Sequence, residues 1–313
     1  MSHCVVIIPT KNGMGTLPSV LDAVARQRTC WPFETLLIDS GSTDGISEEA
    51  ARRGISFLSI PSEDFGHGKT RNLAISKTTA PFVVMLTQDA VPADEFWLQN
   101  LVDAVEQRGD IGGAFGRHIA HEGADPFTRR DLEVHFDGFC DQPMIVSRET
   151  DSERYARDEG WRQMIHFFSD NNACLRRSVW EKIPYPDVEF GEDQLWARLM
   201  IEGGYSKAYA HGAVVRHSHQ FSHWEQLKRS FQESRYFHEC FGYELTRGLR
   251  DFLKNLESRI RQDLWNWRRG AVRASLGGLT NRMIANAFHQ AGQYLGTNHA
   301  RIPDWGVRML SPY

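Results

Sequence analysis

The sequence predicts an α/β protein: a mostly parallel sheet with flanking helices, followed by a C-terminal helical appendage. Three observations carry this. Four short apolar runs, each suited to a buried strand, alternate with helical periodicity in the first 110 residues. Polar and turn-forming residues close these runs, at the strand ends where sheets of this class gather ligands. From residue 222 to about 294 the pattern is helical, and no internal repeat is visible.

Val5-Val6-Ile7-Ile8 opens the sheet. Thr16 then precedes Leu17, Val20, Leu21 and Val24, whose i, i+3, i+4, i+7 spacing is that of an amphipathic helix. Thr35-Leu36-Leu37-Ile38 is the second strand, broken by the turn-rich DSGSTDG. A short helix over 47–53 ends at Gly54, which suits a C-cap. Residues 55–60 form a third strand, 69–77 a helix, and 82–86 the fourth strand. Residues 94–107 follow as a helix with Leu98, Leu101, Val102 and Val105 on one face. Residues 120–160 are polar and poorly periodic, and read as a long functional loop or short irregular helices. Strand character returns over 166–176, a helix over 193–201 ends at Gly203-Gly204, and 205–217 reads as one or two strands.

A chain of 313 residues with 41% hydrophobic and 24% charged content is ordinary for a globular protein of one large domain, or of one domain plus an appendage. No apolar run approaches the roughly 20 residues that span a bilayer, and the N-terminus lacks the basic start and cleavage site of a signal peptide. Five widely spaced cysteines without a CxxC pair favour reduced thiols in a cytoplasm. The net charge of −4 is unevenly spread: residues 222–313 hold 14 basic and 8 acidic groups, a local +6, which leaves −10 on the first 221. Over 256–294 in that tail, Leu264, Trp265, Trp267, Leu276, Leu279, Met283 and Phe288 are interleaved with Arg259, Arg261, Arg268, Arg269, Arg273 and Arg282. Such a tail suits an anionic surface, and no nucleic-acid partner is expected; helices packed in a bundle with solvated arginines would give the same pattern.

Candidate site residues fall at the carboxyl ends of strands: Pro9-Thr10, Asp39 and Gln88-Asp89. In PFVVMLTQDAVPADEF an apolar run stops at Thr87-Gln88-Asp89, and a carboxylate there costs solvation unless it holds something. DSGSTDG offers two carboxylates that can accept from a base or ribose hydroxyls, although turns of this composition also occur without a ligand. FGHGKTRN brings Lys69 and Arg71 to the first turns of a helix, either as a diphosphate cradle or as an ordinary capped helix. It has neither the Walker nor the dinucleotide spacing. GEDQLWARLMIEGG sets Glu192 and Asp193 at a helix start, where an ionised carboxylate compensates the dipole and can also serve as a general base. In HSHQFSH, an extended backbone would put His217 and His219 on one face, able to share a metal.

In order and context these motifs resemble one family. VVIIPTKNG, LLIDSGSTDG, FGHGKTRNLA, VVMLTQDAVP, FSDNNACLRRSVWEKI, GEDQLWARLMIEGGY and VVRHSH together look like an inverting nucleotide-sugar glycosyltransferase of family 2, with the GT-A fold, over residues 4–219. HGKTRN combined with TQDA is similar to bacterial rhamnosyltransferases that use dTDP-L-rhamnose to build O-antigens and other surface polysaccharides. The resemblance implies Thr10 and Asp39 in the nucleoside pocket, with Asp39 facing the base, and Arg71 toward the donor diphosphate. It implies Asp89 as metal ligand and Asp193 as catalytic base. The common Asp-x-Asp is here Gln88-Asp89, so Asp89 is the one anionic ligand of that loop, with His217 or His219 completing the shell. Mg²⁺ keeps to oxygen whereas Mn²⁺ accepts imidazole readily, so a histidine ligand tilts the preference to Mn²⁺. Gln88, without charge, is read as hydrogen-bonding sugar or ribose.

The expected activity is a single inverting displacement that moves L-rhamnose from dTDP-β-L-rhamnose to a hydroxyl of a glycan or polyprenyl-linked glycan. A UDP- or GDP-linked donor, or a noncatalytic nucleotide- or glycan-binding module, is the alternative. The expected organisation is a transferase domain over 1–221 and a helical region over 222–313, peripheral on the cytoplasmic face of the inner membrane. A Rossmann dehydrogenase is excluded, because PTKNGMG is not the Gly-rich turn it needs after the first strand.

Overall fold

The computed structural model describes residues 2–311, which divide into two compact units: 2–121 with 132–218, and 122–131 with 219–311. The first unit carries the sheet. In chain order it holds β1 (Cys4–Thr10), α1 (Leu17–Ala25), β2 (Phe33–Asp39), α2 (Ile46–Arg53), β3 (Ser56–Ser59) and α3 (His67–Ser76). Next come β4 (Phe82–Leu86), β5 (Val91–Pro92), α4 (Trp97–Glu106) and β6 (Ile111–Ile119). Helix α5 (Pro126–Cys140) starts in the second unit and runs into the first, where β7 (Ile145–Val146), α6 (Ser152–Arg157), α7 (Glu159–His166) and β8 (Asn172–Arg176) follow. Helix α8 (Arg177–Trp180), α9 (Glu192–Glu202) and β9 (Ser206–Arg216) complete it.

The sheet order is β3-β2-β1-β4-β8-β6-β9-β5, with β7 on the flank of β9. β1 pairs in parallel with β2 and β4, β2 with β3, and β6 with β9, while β8 runs antiparallel between β4 and β6. The parallel strands are covered on both faces, which is why they read as unbroken apolar runs. Val5 and Ile7 point into one layer with Ile75, Phe115 and Trp196; Val6 and Ile8 point into the other with Leu17, Val20 and Leu101. Each such fully buried aliphatic side chain contributes about 1.5–3 kcal/mol. The parallel register sets Thr10 beside Asp39, so the carboxyl ends of β1 and β2 finish level.

Helix α2 ends at Gly54 with φ 66°, the left-handed cap expected there. The largest departure is α5, which occupies a stretch read as loop or irregular structure. Asp125 Oδ1 accepts from the backbone N–H of Phe127 (2.8 Å) and Thr128 (3.3 Å), and Leu132, Phe136 and Phe139 form an i, i+4, i+7 stripe. The stripe packs into the Phe115, Phe167 and Tyr209 aromatic cluster. The strand expected over 166–176 is confined to β8, because His166 still belongs to α7.

The second unit is helical: α10 (His223–Tyr236), α11 (Leu249–Arg268), α12 (Leu276–Thr297) and α13 (Asp304–Leu310). Ser222 and Glu225 close a reciprocal capping box at the start of α10. Helices α10 and α12 pack backbone to backbone, since a Cβ on Gly292 would sit 2.4 Å from Leu227 O and one on Gly296 2.3 Å from Phe231 O. Leu264, Trp267, Leu279 and Met283 gather around Phe127 and Val272 as a small core. No helix among the described residues is long and apolar enough to cross a membrane.

Candidate active site

The loops after β1, β2 and β4 are laced together. Asp39 is buried and accepts from Thr10 Oγ1 (3.0 Å), Gly41 N (3.0 Å), Ser42 N (2.8 Å) and Ser42 Oγ, filling the roughly four lone-pair sites of a carboxylate. The resemblance has Asp39 facing the base; here its acceptors order the DSGS turn. Asn12, at φ 45°, accepts from Thr43 N through Oδ1 (3.0 Å), and Ser42 Oγ accepts from Asn12 N (2.7 Å). Pro9 is half-buried at the end of β1.

Gln88 makes a two-point bond to one peptide unit. Its Oε1 accepts from Lys11 N (2.9 Å) and its Nε2 donates to Lys11 O (3.1 Å). Only a side-chain amide supplies both partners; a second acid at this position would face the Lys11 carbonyl with no proton to offer. Gly13 is needed for the approach, because a Cβ there would lie 2.2 Å from Gln88 Oε1. Gln88 thus clamps the loop beside Asp89; the sequence reading has it hydrogen-bond sugar or ribose.

A second cluster is acidic. Arg71, on α3, is buried and pairs with Asp170 Oδ2 through Nε (2.9 Å) and with Glu192 Oε1 through Nη1 (2.7 Å). The resemblance directs Arg71 to the donor diphosphate; in this structure its guanidinium faces these two carboxylates. Tyr185 donates to Asp170 Oδ1 (2.7 Å), and Asp170 N donates to Asp193 Oδ2 (3.2 Å). Asp193 is half-buried at the first turn of α9, behind Gly191 at φ 71°. Burial, then the neighbouring Glu192 and Asp170 charges, raises the Asp193 carboxyl well above the ordinary range. Burial also pushes Asp170 up to about 6, against the pull of Arg71.

The rest of HGKTRN locks this cluster. A Cβ on Gly68 would sit 2.1 Å from Pro186 O, Asn72 Oδ1 accepts from Trp180 Nε1 (2.8 Å) and Tyr185 N (3.0 Å), and Asn72 Nδ2 donates to Tyr185 O (2.9 Å). Asp170 and Tyr185 were not singled out from the sequence. Asp170 lies within FSDNNACLRR, two residues before β8, whereas the candidates nominated from the sequence follow strands.

Just after β9, His217 Nε2 lies 3.6 Å from Asp89 Oδ1. His217 N still donates to Ile119 O (2.9 Å), so the ladder of β6 and β9 carries the side chain to the β4 loop. With His219, two residues on along the same segment, each of the three residues offers one ligand atom and these atoms lie within 4.8 Å of one another. A carboxylate with two imidazoles fits a divalent transition ion better than Mg²⁺. His118, on β6, packs edge-on to His217 with ring centroids 5.4 Å apart. Burial, then His217, holds His118 well below its ordinary pKa, so it backs the site as a neutral ring. No spacing in the sequence linked His118 to His217.

Loops at the carboxyl ends of β1, β2 and β4, a carboxyl of raised pKa on α9 and a carboxylate–imidazole group are thus set on a mostly parallel sheet with flanking helices. The chain belongs to the glycosyl transferase family 2, which residues 5–183 match. It is an inverting, nucleotide-sugar-dependent glycosyltransferase. The chain is 38% identical over 240 residues to the O-antigen chain rhamnosyltransferase RfbN of Salmonella typhimurium, covering 75% of this chain and 72% of that one. It is 29% identical over 244 residues to the O-antigen chain rhamnosyltransferase WbaN of Salmonella anatum, covering 77% and 73%. The mannosyltransferase PcManGT of Pyrobaculum calidifontis, solved with GDP-Man and Mn²⁺, shares the fold at a TM-score of 0.56 and 17% identity, over 99% of this chain and 78% of that one.

Proposed function

We propose that this protein transfers L-rhamnose from dTDP-β-L-rhamnose to a hydroxyl of a glycan or polyprenyl-linked glycan, in the synthesis of a cell-surface polysaccharide. The observation that carries the reading is Asp193, a half-buried carboxylate with a raised pKa, in a chain 38% identical to a protein named as an O-antigen chain rhamnosyltransferase. Asp193 takes the proton of the acceptor hydroxyl, which attacks the anomeric carbon opposite the leaving nucleoside diphosphate and yields an α-L-rhamnoside. Arg71 and Asp170 position Asp193 from behind. Pro9, Thr10 and Asp39 shape the nucleoside pocket, and Gln88 fixes its edge. Asp89, His217 and His219 would hold Mn²⁺ or Mg²⁺, which when bound supplies positive charge to the departing diphosphate. Release of nucleoside diphosphate measured over dTDP-rhamnose, UDP-glucose, UDP-galactose and GDP-mannose tests the donor. Fastest turnover is expected with dTDP-rhamnose; faster turnover of a UDP- or GDP-sugar would overturn the rhamnosyl reading and leave the transferase class intact.

The domain division proposed is a transferase domain over 1–221 and a helical region over 222–313, the latter attaching the enzyme to the cytoplasmic face of the inner membrane. Two sets of residues in the basic tail behave differently. Leu264, Trp267, Leu279 and Met283 are spent on the small core, and Arg282 pairs with Asp263 (2.8 Å) and Asp131 (2.7 Å). Leu249, Leu253, Trp265 and Leu276 stay 56–70% exposed, beside exposed Arg250, Lys254, Arg261, Arg268, Arg269 and Arg273. Exposed apolar and Trp side chains together with six cations complement an anionic leaflet, at about 1 kcal/mol for each cation near the surface. In liposome co-sedimentation, binding should require anionic lipid, weaken as salt rises and be lost when Arg268, Arg269 and Arg273 become Glu. Absence from anionic vesicles at low salt would leave these helices a bundle only.

A further inference from the structure

The second unit holds a cavity of about 460 Å³ that none of the roles above uses. It opens between the start of α10, the middle of α12 and the segment 122–131, and the size is within the range of small-molecule sites. Its walls are polar. Gln220, Gln226 and Asn281 bring side-chain amides, and Asp125 brings a carboxylate. Gln226 Nε2 donates to Ser230 Oγ (3.1 Å) and meets His289 Nδ1 (3.1 Å), bonds in which its Oε1 takes no part. Asp125 caps α5 through Oδ1 alone, so Oδ2 stands outside those bonds. One wall is aromatic, with His219 stacked on Phe221 at a centroid distance of 5.3 Å.

Charge decides between ligand classes. Arg282 is the cation on the wall, and two carboxylates already take it up. Among the described residues that line the cavity, a phosphate or diphosphate would find no uncompensated cation and would face Asp125 as well; the nearby Arg229 lies over the Phe221 ring at 5.1 Å. Gln220 Nε2 also donates to Gly123 O (3.3 Å), so the wall offers amide oxygens, the Asn281 amide, one carboxylate oxygen and an aromatic side, groups that read vicinal hydroxyls and the C–H face of a pyranose. We propose that this cavity binds a neutral sugar residue of the acceptor glycan. The proposal rests on the transferase reading and deepens it: it assigns recognition of the acceptor to the helical appendage.

The test uses the full chain, the substitutions Ala285→Trp, which fills the cavity from α12, and Asn281→Ala, which removes one amide. Saturation-transfer NMR with methyl α-L-rhamnopyranoside, methyl α-D-mannopyranoside and methyl α-D-galactopyranoside reads binding without turnover. At least one glycoside should receive saturation from the native chain, lose it with Ala285→Trp and weaken with Asn281→Ala, while inorganic phosphate does not compete. In transfer assays the acceptor KM should rise about tenfold in Asn281→Ala, the worth of one or two hydrogen bonds, with the donor KM nearly fixed. No saturation of any glycoside, saturation unchanged in both variants, or displacement by phosphate would each overturn the proposal. A native chain that binds glycosides but turns over no nucleotide sugar would sink the transferase reading instead and leave the sugar site standing.

Discussion

Asp193→Asn is expected to cut sugar transfer by about 10²–10⁴-fold, the usual worth of a general base, with nucleoside-diphosphate binding retained. The amide keeps the shape of the side chain, and its one oxygen can accept from either Asp170 N or Gln194 N, both of which donate to Asp193 (3.2 and 2.7 Å). Turnover near that of the native chain would exclude Asp193 as the base and turn attention to Glu192. The pH profile gives an independent reading. A base works only when deprotonated, and burial with the adjacent Glu192 and Asp170 charges holds the Asp193 proton on to higher pH. The rate should therefore fall as pH drops through a value well above the usual carboxylate pKa of about 4. Asp170→Asn removes one of those charges, so the acid limb should move to lower pH. An acid limb at the ordinary carboxylate position in the native chain would contradict the assignment.

Removal of divalent cations is expected to abolish transfer, with recovery on adding Mn²⁺ and, less fully, Mg²⁺. Asp89→Ala should weaken nucleoside-diphosphate binding in Mn²⁺ by more than about 100-fold, since even an outer partner of a metal ligand is worth about 10–100-fold. Calorimetric titration with and without Mn²⁺ separates this from a general defect, because the native chain and the variant should differ little in the absence of metal. Full activity in stripped protein would take Asp89, His217 and His219 out of a metal role.

The parallel half of the sheet was legible because its strands are buried on both faces and appear as unbroken apolar runs that stop at turn residues. Helix α5 was not, because charges at Arg129, Arg130, Asp131 and Glu133 obscure its first turns; the Asp125 cap and the Leu132, Phe136, Phe139 stripe were there to be read. The site residues could be nominated, since position after a strand is visible in sequence. Their occupations could not. Whether Arg71 meets a phosphate or a carboxylate depends on Asp170, 99 residues away. Whether Asp39 has acceptors to spare depends on hydroxyl and amide groups that only the folded turn brings to it. His118 reaches His217 through strand pairing between β6 and β9, a relation that no local spacing encodes.

The clamp of Gln88 on Lys11 makes one mechanical body of two loops that are 77 residues apart in the chain. The loop beside the nucleoside pocket and the loop that bears Asp89 cannot shift separately while both bonds hold. A ligand that draws in one loop draws in the other, and the free energy that one ligand lends to the other's binding must be returned in equal measure. On the proposed function, cation and nucleotide affinities would then be tied through a single side chain, and cutting that tie would let the two drift apart.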